Sequence, residues 1–202
     1  MDIILSKERV DDQECDLLVT GFFKDERPLK ESTGWIDWRL NGMLSQLLIE
    51  KRLTGEWEEA TLIPSQGRIL PKMILLLGLG EVKKYSDLLL YKLPPYLLET
   101  FKRLGVSNIC LSFPYAGDYS VDCAKMVKIL IEGIVEGLVS RHNPVDEEWS
   151  KKLKIHFAEG EENYFDLLLG VQTVKSTVEK RILINLIVPI EENQIQKMRP
   201  KS

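Results

Sequence analysis

Short runs of apolar residues, each bounded by charged residues, glycine or proline, recur along this chain and constrain its fold more than any other feature. They cover residues 16–21, 60–64, 73–78 and 108–114. Such uninterrupted runs are typical of β-strands that are buried on both faces of a sheet. Residues 153–157 alternate instead, as an edge or half-covered strand would, and residues 181–188 are largely apolar and β-branched. Together with residues 3–5, the pattern predicts about seven strands.

Segments with helical periodicity separate these strands. Apolar residues repeat every three or four positions over 34–52, 85–104, 120–138 and 163–178. Pro94 and Pro95 fall inside the second segment and predict a kink or two shorter helices there, and Ser120 is positioned to cap the third. Strands that alternate with helices predict a three-layer α/β/α domain with a mixed, mostly parallel sheet. We expect one domain over residues 1–190, followed by a charged tail at 191–202.

Composition and charge argue against several classes of function. The 202 residues carry 27 Lys plus Arg against 31 Asp plus Glu, a formal net charge of -4, without the local basic patch that nucleic-acid binding requires. The apolar runs are too short to span a bilayer, and the N-terminus lacks the pattern of a secretory leader. The three cysteines, Cys15, Cys110 and Cys123, show no CxxC spacing. We therefore expect a cytoplasmic protein with reduced, mostly buried thiols, and neither nucleic acid nor a membrane as its partner.

No constellation of residues predicts a catalytic site. The two histidines, His142 and His156, lie on different predicted elements and lack metal-ligand spacing. Acidic groups such as Glu159 with Glu161 and Glu162 fall in polar connections, and we interpret them as solvated charge. No GxSxG motif joins a strand to a helix. We expect no catalytic residue, no metal and no cofactor.

Two loops are candidates for ligand binding. Gly78-Leu79-Gly80 follows a strong apolar strand, where a glycine-rich turn lets a phosphate approach backbone N–H groups. The second loop, residues 112–120, contains Ser112, Gly117 and Asp118. Both loops are predicted at one edge of the sheet, where they can form a single crevice. The first loop lacks the third glycine of GxGxxG and the Lys of a P-loop, so we favour a tight turn without a ligand there.

Two further pairs of residues stand at helical spacing. Trp35 and Trp38 are about one turn apart, which fits an interface or core packing equally well. Gly133 and Gly137 are four residues apart, and their smooth stripe predicts a close approach of the third helix to the sheet.

Four segments of the chain carry a family resemblance. They are GWIDWRLNGMLS at 34–45, TLIP at 61–64, ILLLGLG at 74–80 and EGIVEGL at 132–138. In this order they resemble the N-terminal domain of the leucyl (cytosol) aminopeptidase family, and the match covers about residues 1–178. The resemblance implies a macro-domain-like α/β fold, which in the family precedes a separate catalytic domain with a two-zinc site. No residue of that site is found in this sequence, so the resemblance implies a stand-alone, non-catalytic copy of the N-terminal domain.

Two functions follow as expectations. The first is a non-catalytic assembly or protein-interaction module, whose partner is itself or a full-length aminopeptidase and whose interface includes Trp35 and Trp38. The second is a binder of ADP-ribose or a similar nucleotide, as the wider resemblance to macro domains implies. Its ligand-binding residues would be Gly78, Gly80, Ser112, Gly117 and Asp118. We rank assembly first, because residues 19–23 read VTGFF where ADP-ribose-binding macro domains carry an Asp and an Asn-rich stretch.

Overall fold

Seven β-strands form one sheet in the described part of the chain, as the apolar runs predict. The computed structural model describes residues 1–115, 117, 119–140, 147–178 and 182–189. The strands are β1 (Asp2–Ser6), β2 (Leu17–Phe22), β3 (Ala60–Pro64), β4 (Met73–Gly78), β5 (Asn108–Ser112), β6 (Lys154–Ala158) and β7 (Asn185–Ile187). Their order is β3-β4-β2-β5-β6-β1-β7, and every neighbouring pair is parallel except β3 with β4. The sheet is therefore mixed and mostly parallel.

Helices cover both faces of this sheet. They are α1 (Glu31–Arg39), α2 (Met43–Ile49), α3 (Asp87–Leu90), α4 (Leu93–Leu104), α5 (Cys123–Val139), α6 (Glu147–Lys152) and α7 (Tyr164–Val178). Strand β2 shows how the sheet divides the core, because its side chains alternate between the faces. Leu17 and Val19 belong to the larger cluster with α4, α5 and α7, whereas Leu18 belongs to the smaller cluster with α1 and α2. The predicted three-layer α/β/α architecture is confirmed.

The first helical segment is broken where the sequence predicts one continuous helix over 34–52. Helix α1 ends at Arg39 and α2 begins at Met43, because Asn41 and Gly42 adopt left-handed conformations with φ of 57° and 76°. The carboxylate of Asp37 accepts hydrogen bonds from the backbone N–H groups of Leu44, at 2.7 Å, and Ser45, at 3.2 Å. These bonds satisfy donors at the start of α2 that a continuous helix would have paired internally. The prediction of one helix was wrong.

The next two helical segments differ from their predictions in smaller ways. Pro94 and Pro95 stand at the start of α4, so residues 85–104 form the two shorter helices α3 and α4 that were one of the predicted alternatives. Helix α5 is capped by Asp122, whose side chain accepts from the backbone N–H of Lys125 at 2.7 Å, and the prediction of Ser120 as its cap was wrong.

The glycine stripe of α5 faces a helix and not the sheet. A Cβ atom at Gly133 would lie 2.5 Å from Cγ of Pro94, and one at Gly137 would overlap the side chain of Leu98. Both neighbours belong to α4. The stripe therefore allows α5 to pack closely on α4, and the predicted approach to the sheet was wrong.

Strand β6 lies inside the sheet, between β5 and β1, so its alternation marks a half-covered strand and not an edge. Ile155 and Phe157 are buried, whereas Lys154 is exposed and His156 half-buried. Strand β7 is shorter than predicted: residues 182–184 are not strand, and residue 181 lies outside the described residues. The tail predicted at 191–202 also lies outside them.

Candidate functional site

The carboxyl edge of the sheet brings several loops together. Strands β1, β2, β4, β5 and β6 run parallel, so the loops that follow them emerge on one side of the molecule. Both loops singled out in the sequence lie there. Gly78 ends β4 and Gly80 lies just beyond it, Ser112 ends β5, and β2 lies between these two strands. The two loops are thus separated by two strand spacings, or about 10 Å.

The glycine-rich turn after β4 already uses its amide groups within the protein. The N–H of Gly78 donates to the carbonyl of Glu59 at 2.8 Å, and that of Gly80 donates to the carbonyl of Gly55 at 2.8 Å. A Cβ atom at Gly78 would overlap the carbonyl oxygen of Glu56. The close approach of the 55–59 loop therefore requires glycine at position 78. Phosphate binding by Gly78 and Gly80 stays a prediction, and it would require this loop to move.

Gly78 also lines a mainly apolar cleft of about 410 Å³ beside α4, together with Trp57, Leu77, Leu93 and Tyr96. The cleft lies at the end of the sheet where β3 forms the outer strand. Ser112 and Gly117 are not among the residues that line it. The cleft thus contains one member of the predicted ligand-binding set.

Three aromatic rings pack between the loops after β2, β4 and β5. We call Phe23, Tyr85 and Tyr119 the edge aromatic cluster. Phe23 stacks on Tyr119 with 5.3 Å between ring centroids and meets the edge of Tyr85 at 5.1 Å. The Tyr85 hydroxyl donates to the carbonyl of Pro114 at 2.9 Å, and burial raises the pKa of Tyr85 well above its ordinary value. The three rings are buried and fasten these loops to one another.

The cluster occupies the region where the sequence predicts a single crevice between two loops. Gly117 is exposed with φ of 56°, in the left-handed region that favours glycine. Asp118 lies outside the described residues. The structure therefore does not bring the five predicted ligand-binding residues to one cavity among the residues that it describes.

A buried polar network lies on the other side of β5. Glu159 directly follows β6, and its Oε2 accepts a hydrogen bond from the Ser32 hydroxyl at 3.2 Å. The Ser112 hydroxyl donates to Ser32 Oγ at 2.8 Å. In the next residue of α1, the Thr33 hydroxyl lies 2.8 Å from both Thr20 Oγ1 and the carbonyl of Gly21. The first turn of α1 is thus tied to three central strands by hydroxyl groups and one carboxyl group.

Glu159 is buried, and the prediction of solvated charge was wrong for it. The chain that follows β1 covers it, because Arg9 forms a backbone bridge with Glu159 and the N–H of Gly160 donates to the carbonyl of Glu8. Burial raises the pKa of Glu159 to about 8, and the nearby hydroxyls of Ser112 and Ser32 offset this only in part. The acid is therefore mainly protonated at pH 7. Its place directly after a strand was the one sequence signal that distinguished it from loop carboxylates.

A small cavity of about 60 Å³ adjoins this network. We call it the Glu159 pocket. Its lining includes Arg9, Glu31, Trp35, Tyr115, Glu159 and Glu162. Glu31, the first residue of α1, has φ of 47°, a strained conformation for a residue other than glycine. The pocket thus combines carboxyl groups with aromatic walls.

Trp35 and Trp38 form an exposed pair next to this pocket. Their side chains are 49% and 67% exposed, so the core alternative for them is wrong. The rings meet edge to face with 6.4 Å between centroids. The guanidinium of Arg9 lies 4.4 Å from the Trp35 ring centroid, and that of Arg39 lies 5.7 Å from the Trp38 ring centroid. We call these two indole rings the tryptophan platform.

One buried carboxylate anchors both arginines of the platform. Asp11 is 1% exposed, and its Oδ2 lies 2.8 Å from Nε of Arg39. Its Oδ1 lies 3.6 Å from Nε of Arg9. Because the arginines are held by Asp11 and each lies over one indole ring, the platform is ordered before it meets any partner.

The remaining candidates from the sequence have structural roles. The three cysteines are free and buried, as predicted. His156 Nε2 lies 2.7 Å from Oδ1 of Asn108, and burial lowers the pKa of this histidine. His142 lies outside the described residues. Within the described ranges, no group of three or more His, Cys, Asp and Glu side chains is arranged to hold a metal ion, and no helix is long and apolar enough to cross a membrane.

Comparison with curated proteins relates the chain to one part of longer enzymes. The "Probable cytosol aminopeptidase" of Sulfurihydrogenibium sp. is 26% identical over 152 residues, which is 75% of this chain and 29% of that protein. The protein of the same printed name from Synechocystis sp. is 28% identical over 141 residues, or 69% of this chain and 28% of its own length. The chain thus spans less than a third of the length of these relatives.

Comparison with solved structures shows the same fold in two groups of proteins. A mutant of tomato leucine aminopeptidase superposes with a TM-score of 0.56 at 17% identity, over 88% of this chain and 37% of that one. The macro domain of ganglioside induced differentiation associated protein 2 superposes with a TM-score of 0.62 at 16% identity, over 90% of this chain and 86% of that one. A Trypanosoma brucei macrodomain in complex with ADP superposes with a TM-score of 0.61 at 19% identity, over 83% of this chain and 68% of that one. The predicted macro-domain-like fold is confirmed.

A sequence profile identifies which part of the longer enzymes this fold corresponds to. The profile described as "Cytosol aminopeptidase family, N-terminal domain" matches residues 19–142, more than half of the chain. The chain belongs to the cytosol aminopeptidase family, through the N-terminal domain of that family.

Proposed function

We propose that this chain is a non-catalytic module that assembles with protein partners through the tryptophan platform. Its family membership rests on the N-terminal domain alone, since the profile that matches describes that domain. Among the residues that the structure describes, this site contains no nucleophile paired with a base. Its buried acid, Glu159, accepts a hydrogen bond from the Ser32 hydroxyl and lines a small pocket. These features support binding over catalysis. We expect the module to work in the cytoplasm, where its named relatives belong.

The exposed but ordered state of Trp35 and Trp38 is the observation that carries this proposal. Tryptophan and arginine are enriched among the residues that contribute most to binding at protein interfaces. An exposed indole normally loses conformational entropy when a partner covers it. Here the edge-to-face contact and the stacked arginines have already restricted both rings. Binding therefore costs less entropy at this surface than at scattered exposed side chains.

The partner that we propose is a second copy of this chain or a full-length aminopeptidase of the same family. The relatives carry a region similar to this chain within a protein more than three times as long as the matched segment. This chain can therefore bind where the corresponding domain of a longer enzyme meets its neighbours. An exposed aromatic surface flanked by arginines suits such a contact.

Replacing Trp35 and Trp38 together with Ala should abolish assembly and leave the fold intact. Each truncation of an interface tryptophan costs about 2 kcal/mol or more of binding free energy, which is roughly a 30-fold loss of affinity. Both side chains are exposed, so we expect the free energy of unfolding to change by less than about 1 kcal/mol. Sedimentation velocity at several protein concentrations measures the mass of the assembly, alone and with a full-length family enzyme.

Leu88→Ala is the matched control, since Leu88 is 77% exposed on α3, away from the platform. This variant should sediment like the wild type. A wild-type chain that stays monomeric and binds no family enzyme would refute the assembly function. Assembly that survives both tryptophan substitutions would refute the platform as its surface.

The second candidate is the small-ligand function, and the cleft of about 410 Å³ beside Gly78 is the observation that favours it. Its volume falls within the range typical of ligand sites. Isothermal titration with ADP-ribose at high protein concentration tests this candidate. Saturable heat that Tyr96→Ala weakens would favour it, because Tyr96 lines the cleft at the protein surface. We expect no heat, since the amides of Gly78 and Gly80 are already bonded within the protein.

A further inference from the structure

We propose that the Glu159 pocket binds a small primary ammonium group, with Glu159 as its counter-ion. Binding at this site needs no second protein chain, so the inference does not rest on the assembly function, although Trp35 belongs to both surfaces. It differs also from the nucleotide candidate, since the pocket is too small for a nucleotide and is rich in carboxyl groups.

An unsatisfied oxygen is the first observation. Glu159 is 8% exposed, and its Oε1 has no hydrogen-bond partner among the described residues. A buried polar atom without a partner costs free energy, so such atoms in native proteins call for an explanation. The other oxygen, Oε2, is bonded to Ser32. A ligand that carries N–H donors would supply the missing partner.

The size and the walls of the pocket select the ligand. A water-sized group needs about 10–15 Å³ of such space, so a cavity of about 60 Å³ holds roughly four heavy atoms. This suits an ammonium group with the first methylenes of a chain. Trp35 and Tyr115 line the same cavity, and aromatic faces attract cations.

The charges around the pocket favour a cation over an anion. Three further acidic residues, Asp11, Glu31 and Glu162, line the pocket with Glu159. Arg9 is the one basic residue among the described residues of the lining, and its guanidinium already lies over Trp35 and near Asp11. An anion would meet an excess of negative charge there, whereas an ammonium group would reduce it.

Several titratable groups line the pocket with Glu159 or interact with its charge. They are Arg9 and Asp11 after β1, Glu31 at the start of α1, Tyr85 after β4, Cys110 on β5, Tyr115 after β5, Cys123 at the start of α5 and Glu162 before α7. Burial, with a smaller contribution from Glu31, raises the pKa of Glu159 to about 8. A bound ammonium favours the ionised carboxylate, so binding at pH 7 should release close to one proton.

Calorimetric titration with n-butylamine tests the site. We expect saturable binding whose affinity rises about tenfold per pH unit between pH 6 and pH 8, because the proton on Glu159 must leave. Titrations in phosphate and in Tris, whose ionisation enthalpies differ, should count close to one proton released at pH 7. Nα-acetyl-lysine N-methylamide and alaninamide, tested in parallel, distinguish a lysine side chain from an N-terminal α-ammonium group as the natural source.

Glu159→Gln should lower the affinity about tenfold or more and eliminate proton release. Glu99→Gln, the same substitution at an exposed position on α4, should bind like the wild type. n-Butyltrimethylammonium carries the same charge without N–H donors and should not bind. Circular dichroism confirms that each variant is folded.

Equal affinities of the Glu159→Gln variant and the wild type would overturn the proposal, as would binding of n-butylamine without proton release. Heat from n-butyltrimethylammonium equal to that from n-butylamine would also overturn it, because the exposed acidic surface alone would then account for the binding. Failure of any of these tests leaves the assembly function untouched, since its readout is sedimentation.

Discussion

Replacing Glu159 by Gln should stabilise the folded protein by several kcal/mol at pH 8 and leave its stability near pH 4 almost unchanged. The pKa of this acid is about 8 in the folded state, against an ordinary value of 4.5. Between these two values the folded chain holds a proton that the unfolded chain has released. The free energy of unfolding of the wild type therefore decreases as the pH rises through this window, by about 1.4 kcal/mol for each pH unit.

The Gln variant resembles the protonated acid in shape and cannot ionise. The free energy of unfolding of the variant should therefore not decrease with the ionisation of residue 159. The difference in free energy of unfolding between variant and wild type should be small below pH 4.5, grow with pH and become constant above pH 8. Over the full window the difference approaches about 4–5 kcal/mol. Urea unfolding followed by circular dichroism at pH 4, 6 and 8 measures it. Comparison at each pH removes the effect of all other carboxylates.

Glu99→Gln again provides the control, because Glu99 is exposed on α4. Its stability should follow that of the wild type across the pH range. If the curve for Glu159→Gln ran parallel to the wild-type curve as well, Glu159 would titrate as an ordinary surface acid and its burial would have no energetic consequence.

Phe23→Ala should reduce the free energy of unfolding by about 3–5 kcal/mol, as truncation of a buried aromatic residue typically does. Phe23 is 1% exposed and contacts both tyrosines of the edge aromatic cluster. The variant loses these ring contacts and leaves a cavity between the loops after β2, β4 and β5. For a chain of this length the loss corresponds to about 2–4 °C in Tm for each kcal/mol.

Phe165→Ala is the matched substitution at a position that is 72% exposed on α7. It should change stability by less than about 0.5 kcal/mol. Denaturant midpoints of the two variants give the comparison directly. If Phe23→Ala lost no more stability than Phe165→Ala, the edge aromatic cluster would not hold the loops together. The crevice predicted between those loops would then be open to a ligand.

The strands could be predicted from the sequence because each is a short apolar run with a clear boundary. A strand that is buried on both faces, such as β4, does not alternate between apolar and polar residues. An uninterrupted run of Ile and Leu therefore identifies it in the sequence. The break between α1 and α2 could not be predicted from periodicity. Apolar residues continue across it at helical spacing, and the decisive interaction is a single side chain, Asp37, that caps the second helix.

The site was predicted less completely than the fold. Trp35 and Trp38 were identified as a pair, but the arginine over Trp38 is positioned by Asp11, which reaches Arg39 across 28 positions of sequence. The burial of Glu159 likewise depends on the chain after β1, about 150 residues away. Contacts between residues so far apart in sequence follow from the order of the strands in the sheet. A single sequence does not reveal that order. Local patterns therefore identified the residues and missed their environments.

Asp11 is one carboxylate shared by two arginines, and each arginine lies over a different indole ring. Both rings therefore depend on a residue that no partner can touch, since its side chain is closed off from the surface. In evolutionary terms, one substitution at this hidden position can disorder an exposed surface whose visible residues all remain in place. Under the proposed function, a descendant of this protein would then lose its partner although every contact residue is unchanged.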